Sequence, residues 1–556
     1  MKGSAEPLVP SISPRAPETV MRLARMGAAH PTRLSFLRTL LRRATLENWR
    51  ITRPVWSIAT DGFGHAVYRV DTPASTLSLV AFSTYLAPEN RTDRVIAEAW
   101  DSSYVLYDGV PDAAEIERLR RAAPRQEAAR YTQRDLTLSR ANRSVRLFEY
   151  VVEALAAGRQ PDDRLVDKVG YLMRTTAVYG NGKFGLADRE QVTMHSTLRG
   201  PFQAEMLTVW LIRCFTVDLV EHCARTNSPT TAVALNRDIR RRLGVGNATG
   251  LGMAPFLVKH PTLIHRWVAA RETALARVRN IAVAGASEWR EFRRALRSAQ
   301  GLVSVWTTDE PTQAAHTKVL SKDLVTLDAY AHQLEAKSRT GLWDAIWQWA
   351  SANLSLEGQE MTLALLLEPH GELIDDLADT MTTDEDATFR IDGRMTCAAL
   401  RELIEARSYW AMQLDFSQLP TQSRFWYVSE EKLEPRLGDR FDEPGSELEM
   451  PLATALDLQA LHKALGPIPA ETHSATFLLA HPVHRHTVRR LQQIAACPYG
   501  DIRDNLIDAA MRPIDLLRLK LAFFGADRFD PRSDRWLRIT LFRDAPFPDE
   551  LDTAAR

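Results

Sequence analysis

The stretch VWSIATDGFGHAVYRVDTPASTLSLVAF, residues 55–82, decides the fold class of this chain. It contains three short runs rich in β-branched and aromatic residues, separated by the turn-forming segments DGFG and PAS. Such runs, punctuated by Gly, Asp and Pro, are typical of neighbouring antiparallel strands. The stretch therefore predicts an antiparallel meander with strands at 55–60, 65–70 and 76–82, and a fourth within 94–107.

Helical spacing dominates most of the remaining chain. In SRANRSVRLFEYVVEALAAG (139–158), for example, Val145, Phe148, Val152 and Leu155 recur on one helical face. Strand-like segments return late, at 408–416, 423–429 and 535–542. The predicted fold class is helix-dominated α+β, with an antiparallel sheet in the N-terminal third, a large helical body and additional strands in the C-terminal third. Helices are predicted to dominate 111–178. Further predicted helices lie at 17–28, 31–47, 201–225, 230–243, 261–280, 287–299, 320–336, 341–350, 395–407, 453–464, 485–496 and 501–523.

A length of 556 residues suggests two to four domains at roughly 100–200 residues each. We expect a flexible arm at 1–16 and a region of meander and helices at 17–178. A helical body with two Gly-rich segments is expected at 179–407, and an α+β region at 408–556. The alternative is one continuous two-lobed unit whose sheet is shared between the two strand-containing regions.

The composition narrows the classes of function. The chain has 70 basic and 70 acidic residues, whereas a nucleic-acid-binding protein usually carries a basic excess. An RNA-binding role, suggested only by RDIRRRLG (237–244), is therefore the weakest hypothesis. No apolar run resembles a secretory signal or a membrane span, and the four cysteines form no C-x-x-C pair. The sequence predicts a cytoplasmic protein without membrane contact, and its bias toward Arg and Ala is typical of GC-rich bacterial genomes.

The first Gly-rich segment is YGNGKFGLAD (179–188), whose glycines fit the pattern G-x-G-x-x-G. A Walker-type loop is excluded because Ala177 stands at its first glycine and Phe184 replaces its hydroxyl residue. A kinase loop lacks its nearby lysine, and a dinucleotide loop lacks its immediate helix. Backbone N–H groups near Gly182, with Lys183, remain a candidate anion-binding concavity. The alternative is a tight connection with Lys183 in solvent.

The second Gly-rich segment is GVGNATGLGMAPFLVKHPTLIHRW (244–267). Glycines, short polar side chains and cations converge there, as an anionic ligand requires. The alternative is a buried helix–loop–helix turn whose arginines face solvent. The candidate ligand-binding residues in and near this segment are Arg240, Asn247, Thr249, Gly250, Lys259 and His260.

Two further clusters could carry chemistry. The acidic stretch 430–449 includes Glu431, a candidate general acid or base, although a solvated loop that pairs with some of the arginines is the simpler explanation. HPVHRH places His481, His484 and His486 within six residues, and these are weak candidates for metal ligands. No cofactor is predicted, and a divalent metal is the alternative.

These observations favour an enzyme that acts on a small anionic metabolite, a carboxylate or a phosphate. Proton-transfer chemistry, such as that of a lyase or an isomerase, is preferred because each cofactor motif fails. The candidate catalytic residues are Lys183, His260 and Glu431, and the hypothesis requires Lys183, Asn247 and Glu431 to lie close together. The alternative function is a non-enzymatic helical scaffold or regulatory protein that binds a partner protein.

Overall fold

The fold class predicted from the sequence is confirmed: the chain is a helix-dominated α+β protein. The computed structural model describes residues 12–22, 25, 33–90, 99–128, 131–180, 192, 195–247, 260–306, 311–335, 339–382, 385, 388–417, 424–428, 433–437, 448–450, 454–501, 521–526, 528–530 and 538–551. Within these ranges, no helix combines the length and the apolar character needed to cross a bilayer.

A nine-stranded mixed sheet organises the molecule, with strand order β1-β2-β3-β4-β5-β6-β7-β12-β11. The predicted meander is confirmed in β1–β4, where neighbouring strands pair antiparallel. A separate three-stranded sheet has the order β10-β8-β9. The strands are β1 Arg50–Ile58, β2 Gly64–Asp71, β3 Thr76–Ser83, β4 Ser102–Asp108, β5 Asp135–Arg143, β6 Tyr171–Gly180, β7 Gly244–Asn247, β8 Arg424–Val428, β9 Leu433–Leu437, β10 Leu448–Met450, β11 Arg528–Asp530 and β12 Arg538–Leu541.

Helices cover both faces of the sheet and form the rest of the body. The helices are α1 Pro17–Val20, α2 Phe36–Leu46, α3 Ala113–Ala122, α4 Phe148–Ala156, α5 Asp163–Val169, α6 Gln203–Asn227, α7 Arg237–Arg242, α8 Pro261–Arg279, α9 Ala286–Ser304, α10 Pro311–Glu335, α11 Leu342–Asn353, α12 Leu356–Leu367, α13 Gly371–Ile374, α14 Cys397–Met412, α15 Thr454–Leu465, α16 Ser474–Ala480 and α17 Arg485–Ala496. On one face, Phe215 of α6 packs its ring against Trp56 and Tyr104. On the other face, Leu119 of α3 packs against a cluster that includes Val80. The sheet thus lies between α6 and α3, and each face buries apolar side chains.

Several predicted elements are wrong. The helix predicted at 230–243 covers only Arg237–Arg242. Residues 135–143 and 171–178, placed in a helix-dominated region, form the central strand β5 and most of strand β6. The helical interpretation did not anticipate the buried polar residues of β5. Thr137 bonds Thr208 (Oγ1–Oγ1 2.6 Å), and Asn142 Oδ1 accepts from the Asp101 amide. Residues 408–412, predicted as a strand, belong to α14, which bends at Ser408. Short apolar runs do not by themselves distinguish a buried helix from a strand.

One pair of strands in the sheet is parallel, and it bears on the candidate site. β6 and β7 are neighbours, with Thr175 opposite Asn247. The first Gly-rich segment continues beyond the carboxyl end of β6 and the second beyond the carboxyl end of β7, and these two strand ends point the same way. In sheets with parallel strands, ligands commonly bind beyond these carboxyl ends.

The sheet also bears on domain organisation, because its strands come from three separated parts of the chain: 50–180, 244–247 and 528–541. The domain boundaries drawn from the sequence stay predictions.

Candidate anion-binding site

Most of the residues predicted for the site lie outside the described residues. They are Gly182, Lys183, Thr249, Gly250, Lys259 and Glu431. The backbone of Asn247 is described, and it closes β7 between Thr175 of β6 and Ile539 of β12. The required proximity of Lys183, Asn247 and Glu431 therefore stays a prediction.

Arg240 belongs to α7, which precedes β7, whereas residues 248–259 of the second Gly-rich segment follow the carboxyl end of that strand. Its Nη1 pairs with Asp549 Oδ2 at 2.8 Å, and its guanidinium lies 4.0 Å from the ring centre of Phe547. Burial lowers the pKa of Arg240, but the hydrogen bond and charge of Asp549 outweigh burial and raise it above its ordinary value. These contacts attach the C-terminal segment to α7.

The predicted histidines are dispersed. His260 immediately precedes α8, at the point where the chain returns from the second Gly-rich segment. His481, His484 and His486 occupy the end of α16, a short 3₁₀ turn and the start of α17. The rings of His481 and His484 lie against Phe477. In the described part of the chain, no three His, Cys, Asp or Glu side chains form a group suited to a metal ion.

A cavity of about 700 Å³ lies beside α2, and the sequence analysis did not predict it. We call it the arginine cleft, after Arg42, Arg43 and Arg199 in its lining. Three segments form its walls: one side of α2 from Phe36 to Leu46 with Glu47, residues 199–203 at the start of α6, and residues 378–382.

Arg43 presents an open guanidinium edge in this cleft. Its Nη1 donates to the carbonyl oxygens of Thr197 (3.1 Å) and Arg199 (3.0 Å). Its Nε and Nη2 form no hydrogen bond and no ion pair with any described residue, and neither atom is buried. Two N–H groups on one guanidinium edge match two oxygens of a carboxylate or a phosphate. We call this edge, formed by Nε and Nη2, the Arg43 fork. The two carbonyl contacts of Nη1 hold the fork in place before a ligand arrives.

The other charges of the arginine cleft are arranged differently. Arg42 Nη2 pairs with Asp379 Oδ1 at 3.0 Å, and its Nη1 donates to the Asp375 carbonyl. Arg199 is exposed, and within the described chain it has no ion-pair partner. Three arginines face two carboxylates, Glu47 and Asp379, so the lining carries one excess positive charge.

The electrostatics of Arg43 favour an anion. Burial is the largest influence on its pKa and lowers it, while Glu47 and Asp379 oppose that shift and Arg199 and Arg42 add to it. The guanidinium stays charged at neutral pH, because the ordinary arginine pKa lies far above 7. An anion on its open edge would offset the repulsion from the neighbouring arginines.

Two hydrogen-bonded contacts fix the turn 195–203 to the sheet. His195 Nε2 lies 3.4 Å from Asp108 Oδ1 at the end of β4, while His195 Nδ1 accepts from the Thr197 amide. Thr197 Oγ1 bonds Ser75 Oγ at 2.6 Å beside the start of β3. β4 and β6 both run antiparallel to β5, so their carboxyl ends lie at the same end of the sheet. One wall of the arginine cleft is thus attached to the sheet end at which the Gly-rich segments begin.

Helix α8, which contains the last residues of the second Gly-rich segment, supports another wall. Arg266 of α8 donates to Thr382 Oγ1 and the Thr380 carbonyl (3.4 Å), and it pairs with Glu385. Residues 195–203, which follow the first segment, form a wall of the arginine cleft, and α8, which contains the end of the second segment, contacts another.

Sequence reasoning missed Arg43, Glu47 and Arg199, and no motif marks them. Arg43 stands in FLRTLLRRATL, an ordinary amphipathic helix, and Arg199 stands in STLRG. A recoverable signal was the cationic end of α2, since Arg42 and Arg43 lie in its last turns. No protein-family model matches this chain, and neither a curated protein nor a solved structure does.

Proposed function

We propose that this chain is a cytoplasmic protein that binds a small anionic metabolite, a carboxylate or a phosphate, in the arginine cleft. The observation that supports it is the Arg43 fork, which is oriented by the Thr197 and Arg199 carbonyls and open on its Nε–Nη2 edge. Charge-assisted bidentate pairs are among the strongest hydrogen bonds in proteins. A volume of about 700 Å³ also lies within the range of small-molecule sites.

Proton-transfer chemistry of the lyase or isomerase kind is the reaction that we propose for such a ligand. It depends on the predicted catalytic residues Lys183, His260 and Glu431 reaching the arginine cleft. Anion binding does not depend on them, since Arg43 and Arg199 supply the charge. The two parts of the proposal are therefore separable by experiment.

The test is a titration of the purified chain with phosphate and a panel of small mono- and dicarboxylates, followed by calorimetry and thermal unfolding. A ligand that binds only the folded state raises the unfolding temperature. Arg43→Gln should weaken binding by about ten- to a hundredfold, because a charged hydrogen bond contributes about 1.5–3 kcal/mol. Arg159→Gln, at an exposed arginine outside the cleft, is the matched control and should bind as the wild type does.

Two results would contradict the proposal. One is a wild-type chain that no anion of the panel stabilises, and the other is an Arg43→Gln chain that binds normally. Specific recovery of one protein partner by such a chain would favour the scaffold alternative.

A further inference from the structure

Arg43 and Glu47 stand four residues apart at the end of α2, yet they do not pair with each other. Opposite charges at this spacing face each other on a helix and commonly interact. Here Arg43 Nη1 turns to the carbonyls of the neighbouring turn, and Glu47 Oε2 accepts from Trp49 Nε1 at 2.8 Å. Both side chains line the arginine cleft. Among the described residues, neither has an ion-pair partner.

The second carboxylate oxygen of Glu47 is accessible. Oε1 forms no hydrogen bond with a described residue, and it is not among the buried atoms that lack a partner. The cleft thus offers two unpaired charges of opposite sign from one helix end: a cationic fork at Arg43 and an anionic oxygen at Glu47. Asp379, the other carboxylate of the lining, already pairs with Arg42.

We propose that the ligand of the arginine cleft is zwitterionic and carries an ammonium group beside its carboxylate or phosphate. This inference rests on the proposed function, because it assigns a substrate class to the same site. A simple anion on Arg43 would leave Glu47 as an unpaired like charge nearby. An ammonium group would pair with Glu47 Oε1, so both open charges of the cleft would be neutralised at once. Amino carboxylates and aminoalkyl phosphates share this chemistry.

Matched ligand pairs test the inference. Dissociation constants are measured near neutral pH for glycine, β-alanine, 4-aminobutanoate and 6-aminohexanoate, each against the same acid without its amino group. The pair 2-aminoethyl phosphate and ethyl phosphate separates the phosphate source from the carboxylate source. At least one amino ligand should bind about tenfold more tightly than its match, because it gains one ion pair with Glu47.

Substitutions assign the effect to Glu47. Glu47→Gln keeps an acceptor oxygen for Trp49 Nε1 but removes the charge, so the preference for the amino ligand should fall to about twofold or less. Asp379→Asn is the matched control at a carboxylate that is already paired, and it should retain the preference. Arg43→Gln should weaken both members of every pair.

The outcomes separate the two proposals. Equal binding within every pair overturns the zwitterion inference while anion binding stands. A preference that survives Glu47→Gln, or that disappears equally in Asp379→Asn, overturns it as well. If no ligand of either kind binds, both the inference and the proposed function fail.

Discussion

Individual arginine side chains differ in the hydrogen bonds that they form, although in the sequence they are equivalent charges. Arg213 is 1% exposed, and its Nε, Nη1 and Nη2 donate to the carbonyls of Leu243, Ala545 and Arg241. Arg43 has two carbonyl contacts on one nitrogen and an open edge. The first arrangement fixes chain segments to each other, and the second is suited to a ligand. This difference depends on tertiary contacts, so the sequence pointed to Arg240, beside a Gly-rich segment, and missed Arg43.

His370 should make the stability of the fold depend on pH. Its ring packs edge-on against the ring of Trp343, with the ring centres 5.1 Å apart. Its buried Nε2 has no hydrogen-bond partner within the described chain. Burial is the main cause that lowers the pKa of His370 to about 4, against about 6.5 in an unfolded chain. As the pH falls below about 6.5, the unfolded chain binds a proton that the folded chain does not bind until about pH 4. The stabilising contribution is therefore complete above this window and is lost within it.

The check is chemical denaturation at a series of pH values between these limits. Across this window, the free energy of unfolding should fall by about 2–3 kcal/mol more in the wild type than in His370→Gln. His316→Gln, at an exposed histidine of α10, is the control and should follow the wild type. Parallel pH profiles for the wild type and His370→Gln would show that His370 does not contribute.

At the scale of single elements, β7 shows why glycine signals were hard to interpret. A Cβ on Gly244 would collide with the Leu541 carbonyl oxygen of β12, and a Cβ on Gly246 would lie 2.8 Å from the Tyr171 ring of β6. These two glycines allow the neighbouring strands β12 and β6 to approach β7 closely. Four residues with alternating glycine carry neither strand periodicity nor strand propensity. The sequence could therefore predict the meander and the long helix α6, but not this strand, and it suggested a ligand loop instead.

Gly244→Ala should lower the free energy of unfolding by about 3 kcal/mol, at the upper end for added volume in a packed interior. Its new methyl group would meet a carbonyl of the sheet backbone, which has little freedom to move. Gly301→Ala is the matched control, because Gly301 lies within α9 and a Cβ there would meet no atom within 4 Å. That change should stabilise the chain by about 0.5–1 kcal/mol through helix propensity. Urea denaturation of both variants measures the contrast, and a similar small effect at the two sites would contradict it.

At the scale of the whole molecule, segments far apart in sequence close the structure. β12, near the C-terminus, completes the sheet beside β7. At the other end of the chain, Arg15 pairs with Glu272 (2.7 Å) and Glu360 (2.8 Å), both of them buried. The sequence predicts an arm at 1–16 from its Pro and Ser content, since composition describes local preference only. The long-range ion pairs of Arg15, at the end of this arm, leave no local pattern to detect.

Arg15→Met should therefore destabilise the whole fold. The guanidinium of Arg15 lies 5.0 Å from the ring centre of Trp347, and Tyr499 donates its hydroxyl to the Arg15 carbonyl. Methionine would keep part of the packing on Trp347 but leave Glu272 and Glu360 with fewer cationic partners. Removing one member of a buried ion pair costs about 3–5 kcal/mol. We expect about 3 kcal/mol here, because Arg271 remains within 3.6 Å of both carboxylates.

The measurement is the midpoint of denaturant unfolding, with a truncated chain as the comparison. Deleting residues 1–11 should leave the midpoint almost unchanged, because Arg15 and its partners all remain. Deleting residues 1–16 should reproduce most of the loss seen in Arg15→Met, since it removes the same guanidinium from the same carboxylates. An arm that contributes nothing would give the same midpoint for both truncations and for the point variant. A loss confined to Arg15→Met and the longer truncation would show that the end of this predicted arm, at Arg15, is part of the folded body.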